Sequence, residues 1–285
     1  IEKAVNSLLG RVTKINGNLA NLVEYCNVLV ALGYSKRANK ILENADKLLP
    51  IWNENKIRVN YVLALIAVME KEAEEADRMA QAVVEHSSGI DFSVKDGPDD
   101  DDVPIYPMAL ALRSRTLRIR AEHAEDEAKR NELFDLSINL LELARLAGFP
   151  IQNVYTQRAH IFKARKMFPE AVASWQQVLA IDPNDVSAHY FICTSFRIMG
   201  VPAHKMQTAE KFFTRTLERV YQNNTSDPNA AGVLTLAVAY YQKYQSDILL
   251  KMIERLMANE NTRPGMETML RALAEPLPAL SKLLG

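Results

Sequence analysis

The stretch Gln152–Asp185, QNVYTQRAHIFKARKMFPEAVASWQQVLAIDPND, decides the fold. Its first half places Tyr155, Ala159 and Phe162 at the three- and four-residue intervals that bring side chains to one face of an α-helix. Phe168-Pro169 is read as the break. Its second half repeats the interval with Ala171, Trp175, Val178 and Ile181. It stops at Asp182-Pro183-Asn184, because proline has no N–H to continue a helical ladder. Two short amphipathic helices joined by a tight turn are therefore expected, and neither can bury its apolar face alone.

The same arrangement returns elsewhere in the chain. Upstream, Leu22, Cys26 and Leu29 mark a first helix and Gly33-Tyr34 a turn. Ala38, Leu42 and Ala45 mark a second helix that ends at Pro50. Ala38 stands as far from Pro50 as Ala171 stands from Pro183. Downstream, Cys193 and Phe196 precede Ala209, Phe213 and Thr216, across a longer connection at Met199–Lys205 that contains Gly200 and Pro202. A last pair runs from Leu236, Ala237 and Tyr240 to Leu249, Ile253 and Leu256. Two looser pairs lie between: Val59–Met69 with Glu74–Val84, using Ala64, Ala76 and Ala80 as small contacts, and Pro107–His123 with Asn131–Leu146.

A small residue in mid-helix, an aromatic three later, alanine early in the next helix, an aromatic four later and a closing proline: this pattern resembles the tetratricopeptide repeat (TPR). The resemblance is carried by Ala159, Phe162, Ala171, Trp175 and Pro183. It implies an all-α fold, a right-handed α-α superhelix of about six helix pairs with terminal capping helices. The expected organisation is an N-terminal helix or partial repeat at 1–17, degenerate repeats over 18–150, regular repeats over 151–260 and a capping helix over 261–285. Residues 86–106, with Pro98 followed by Asp99, Asp100, Asp101 and Asp102, lack helical periodicity and read as an acidic loop insertion.

The resemblance also implies where a ligand sits. The family presents ligand-facing side chains from the first helix of each pair, offset from the packing positions. Those places hold Asn153, Gln157, His160 and Lys163 in the clearest repeat. They hold Tyr190, Thr194 and Arg197 in the next, and Thr235 and Tyr241 in the last. Asn27 occupies the place where chaperone-binding members keep an asparagine. The lysines and second asparagine of their carboxylate clamp have no counterparts here, Val23 and Glu24 standing nearby instead. A protein or peptide partner is expected, but not a chaperone tail.

Composition narrows the function classes. With 34 basic and 35 acidic residues the formal net charge is −1, without the basic excess typical of nucleic-acid binders. No apolar run reaches the ~18–20 residues of a membrane span, so membrane insertion is not expected. Cys26 and Cys193 show neither disulfide nor zinc spacing. No nucleophile elbow, P-loop, dinucleotide fingerprint or zinc-protease helix is present. His123 beside Glu122, Glu125 and Asp126 reads as a salt-bridging helix end. No catalytic residue, cofactor or metal is therefore expected, and the setting is expected to be cytoplasmic. The leading reading is a non-catalytic interaction scaffold. One alternative is a regulatory or substrate-positioning repeat region of a larger enzyme, suggested by the start at Ile1. The other is a self-assembling solenoid or homo-oligomer, suggested by the apolar segment Leu277–Leu284.

Overall fold

The computed structural model describes residues 34–47, 51–89, 93–94, 103–223 and 228–260, with Val23, Cys26, Leu29, Leu49, Thr262, Arg263 and Glu267. The chain divides into two compact units, Ile1–Gln157 and Arg158–Gly285. The expected terminal helices at 1–17 and 261–285 lie outside the described residues, apart from three single positions in the second.

The first unit is built from α1 (Ser35–Lys47), α2 (Glu54–Met69), α3 (Ala73–Ser87), α4 (Ile105–His123) and α5 (Glu127–Leu146). Val23, Cys26 and Leu29 are buried helical positions ahead of α1, as the three-residue interval requires. Each helix packs on the next, and α2 also meets α4. Such nearest-neighbour packing is how a repeat stack buries a continuous core. Small residues make the approach close: Ala38, Ala64, Ala76, Ala80, Ala109, Ala121 and Ala144 are fully enclosed. Between α4 and α5, Ser114 and Ser137 each donate from the hydroxyl to the other's carbonyl, at 2.8 and 2.7 Å.

The insertion is shorter than the sequence suggests. His86 and Ser87 still belong to α3, and α4 begins at Ile105, two residues ahead of Pro107. The proline falls in the first turn, where a missing N–H costs nothing. Within the insertion β1 (Ser93–Val94) pairs antiparallel with β2 (Val103–Pro104), Val94 opposite Val103. Among the described residues this two-residue pairing is the only departure from an all-α fold.

Helix α6 (Ile151–Ala164) spans the boundary between the units. The second unit continues with α7 (Phe168–Ile181), α8 (Val186–Met199), α9 (Ala203–Asn223), α10 (Pro228–Tyr244) and α11 (Asp247–Ala258). Phe168-Pro169 opens α7 instead of forming the break, which lies at Arg165–Met167 with Lys166 in the left-handed region. The physical reason is again that proline suits the first helical turn. The far end follows expectation. Asp182 leaves the helix in extended geometry and its carboxylate accepts from Asn184 N–H. Asp185 then caps α8 by accepting from Ala188 N–H at 2.8 Å. Helix α8 ends on Gly200 at φ +63°, a conformation glycine adopts without a Cβ clash.

In this unit α7 packs on α8 and α8 on α9, while α10 touches α8 and α9, and α11 touches α9 and α10. First helices thus follow first helices and second follow second. Counting the positions ahead of α1, the helices among the described residues form six successive pairs. Ala171, Trp175 and Val178 are enclosed, as are Cys193, Phe213, Tyr240, Leu249, Ile253 and Leu256.

Candidate functional site

The most organised polar group in the second unit joins α8, α9 and α10. Glu210 on α9 is buried, its side chain 4% exposed. Arg197 on α8 donates from Nη2 to Glu210 Oε1 at 2.6 Å and from Nε to the Tyr240 hydroxyl at 3.3 Å. Tyr240 on α10 donates its own hydroxyl to Glu210 Oε1 at 2.8 Å. The three groups form a closed ring. The Arg197 side chain remains 34% exposed. It lies over the Tyr244 ring at 5.7 Å.

Burial works against the Arg197 charge, but the hydrogen bonds to Tyr240 and Glu210 outweigh it and hold the guanidinium firmly protonated. Burial likewise pushes the Tyr240 phenol up, so it stays a donor. The Cys193 thiol beneath is pushed up by burial and further by the Glu210 charge. Arg197 is thus a fixed cation on a helix, backed by a buried counter-charge.

Aromatic rings surround this ring of bonds. Tyr190 meets Phe191, Phe213 and Tyr240 at centroid distances of 5.2, 6.1 and 6.2 Å. Phe191 stacks on Trp175 at 4.9 Å, and His160 stands edge-on to both. Lys163 sits over Phe191 at 4.4 Å, and Lys243 over Tyr244 at 5.2 Å. The buried Tyr244 hydroxyl has no hydrogen-bond partner among the described residues.

With this geometry in place, solved structures give a direct comparison. A thermophilic TPR protein of Thermus thermophilus superposes with a TM-score of 0.58 at 17% identity, covering 80% of this chain and 100% of its own. The fold is that of a tetratricopeptide-repeat protein. The nearly identical TPR-like repeats of a Podosopora anserina putative kinesin light chain superpose with a TM-score of 0.50 at 14% identity, over 74% of this chain and 99% of theirs. No protein-family model matches the sequence, and no curated protein does.

In TPR terms α6, α8 and α10 are the first helices of their pairs, and the sequence-chosen residues fall on them as follows. Lys163, His160 and Tyr190 are half-buried, and Arg197 reaches solvent. Thr194 and Tyr241 are interior, 7% and 4% exposed, and their side chains serve packing. Thr194 also donates to Phe191 O. Thr235 is exposed. Asn153 and Gln157, half-buried on α6, belong to the first unit, and Asn27 lies outside the described residues. Sequence reading missed Glu210. A glutamate between Ala209 and Lys211 on an amphipathic helix looks like an ordinary surface acid, and only the turn of α9 shows it facing inward. It also missed Tyr244 and Lys243.

The arginine-rich run of α4 is not an open basic patch. Arg113 and Arg120 both pair with the buried Asp77, to which Thr116 adds a hydrogen bond at 3.3 Å. Arg118 pairs with Glu122 on its own helix. His123 turns its Nδ1 to Ile119 O at 2.8 Å. Among the described residues no three His, Cys, Asp or Glu side chains converge as metal ligands, and no helix is long and apolar enough to cross a membrane.

Proposed function

We propose that this chain is a non-catalytic protein-interaction scaffold, and that the first-helix face of the second unit grips an extended, acidic segment of a partner protein. The observation that carries the reading is the Arg197–Glu210–Tyr240 ring. It commits a buried carboxylate and a buried phenol to orienting the guanidinium of one partly exposed arginine side chain. Lys163 and Lys243, each resting on an aromatic ring, add two more cations in the same unit. Arginine and tyrosine give large contacts at low ordering cost. A cytoplasmic setting belongs to the same proposal, supported by the two buried cysteines, Cys26 and Cys193, which are thiols.

The test is capture from native lysate by the wild-type chain and by Lys163→Glu/Lys243→Glu in parallel. Neither lysine fills the interior, so the variant should keep its helicity by circular dichroism. A protein retained by wild type and lost by the variant supports the proposal. Equal retention by both, or none by either, removes it.

A further inference from the structure

The second unit also carries a cavity, on a side of α8 away from that polar ring. Residues Tyr190, Thr194 and Arg197 lie on one side of this helix, and His189, Ile192 and Phe196 lie roughly 130° around it at about 100° per residue. On that far side α7, α8 and α9 enclose an open groove of about 460 Å³. Its origin is local. The connection after α8 runs through Gly200, in the left-handed region, to Val201 and Pro202 before α9 starts. Helix α9 then packs along α11, and the groove is left between α9 and α7.

The lining is amphipathic in an ordered way. Ile192 and Phe196 form its floor, Leu179 of α7 one wall and Phe212 of α9 the other. Phe212 is 54% exposed, a large ring left in water beside an apolar groove. At the start of α9, His204 and Lys205 stand on the rim. Among the described residues no carboxylate lines the groove, in a chain whose acidic and basic residues are almost equal in number. The first turn of α9 holds no acidic residue to neutralise Lys205. Small-ligand sites are typically ~300–1,000 Å³, mostly apolar, with a few polar groups that fix orientation. An uncharged apolar ligand would leave the rim cation unused, and a cationic one would be repelled by it.

We propose that this groove binds a small amphipathic carboxylate. Its acyl or aryl body lies against Leu179, Phe196 and Phe212, and its carboxylate points to His204 and Lys205. The site is independent of the first-helix face, because it uses the other side of α8.

The test compares octanoate, octan-1-ol and octylammonium by ligand-observed NMR titration at neutral pH with the full chain. Octanoate is expected to bind at least about fivefold more tightly than octan-1-ol, and octylammonium least of all. Phe212→Glu, on an exposed side chain, is expected to abolish octanoate binding with helicity unchanged. Lys205→Glu is expected to erase the preference for octanoate while octan-1-ol still binds. Lys163→Glu/Lys243→Glu should change none of this, which separates the groove from the partner face. No octanoate binding to wild type, equal affinity for octanoate and octan-1-ol, or octanoate binding that survives Phe212→Glu overturns the proposal.

Discussion

Replacing Arg197 with methionine keeps most of the side-chain volume and removes the counter-charge of Glu210. Glu210 is buried, and the hydrogen-bond partner left to it among the described residues would be the Tyr240 hydroxyl at 2.8 Å. Breaking a buried pair from one side typically costs about 3–5 kcal/mol. Arg197 is a third exposed, so water screens part of that interaction, and about 2 kcal/mol is the better expectation. The chain has two tryptophans, Trp52 in the first unit and Trp175 in the second. A Trp52→Phe background therefore makes Trp175 fluorescence a reporter of the second unit alone. With a urea slope of about 2 kcal/mol per molar, Arg197→Met should lower its midpoint by about 1 M. The triple variant Arg197→Met/Glu210→Met/Tyr240→Phe removes all three polar groups together. It should recover to within about 1 kcal/mol of wild type, because nothing charged is left unpaired. A midpoint for Arg197→Met within about 0.2 M of wild type would refute the reasoning. So would a triple variant less stable than the single one.

Three further outcomes follow from the same physics. Asp77→Asn should destabilise the first unit by about 2–3 kcal/mol, since Arg113 and Arg120 would share a neutral amide; urea unfolding followed by Trp52 fluorescence checks it. Ser137→Leu should cost more than Ser137→Ala, because the added branch has no room between α4 and α5, whereas alanine loses about 1 kcal/mol of hydrogen bonding; differential scanning calorimetry ranks them. Burial pushes the Cys26 thiol up from 9.0 to about 12, so the unfolded chain ionises first. Cys26 should lower stability as pH rises between about 9 and 12 and leave it unchanged below 9, and Cys26→Ala should flatten that slope in urea titrations run at successive pH values.

Much of this architecture was legible in the sequence, for reasons that particular residues make clear. Ala159, Ala171, Trp175 and Pro183 fix helix identity through spacing, and spacing survives translation into structure because the α-helix has one period. Proline ends a helix and starts one equally well, so the sequence alone places the turn before α7 about two residues too late. The β1–β2 pairing could not be read, since two residues per strand carry no periodicity. The candidate site was half legible. Tyr190 and Arg197 follow from the position of first helices in a repeat. Thr194 and Tyr241 share that position, yet their neighbours enclose them. Glu210 was hidden because an inward-facing acid is recognised by its partners, which come from α8 and α10, 13 and 30 residues away.

The central claim is that Arg197, presented by its buried partners, is a binding cation rather than a structural one. It is tested most directly by fluorescence-anisotropy titration of the captured partner against wild type and the Arg197→Met/Glu210→Met/Tyr240→Phe variant. That variant keeps the packing and loses the exposed guanidinium. Binding weakened about tenfold or more, with thermal stability close to wild type, is the predicted result. Equal affinity would contradict the account and leave the polar ring a device of stability alone.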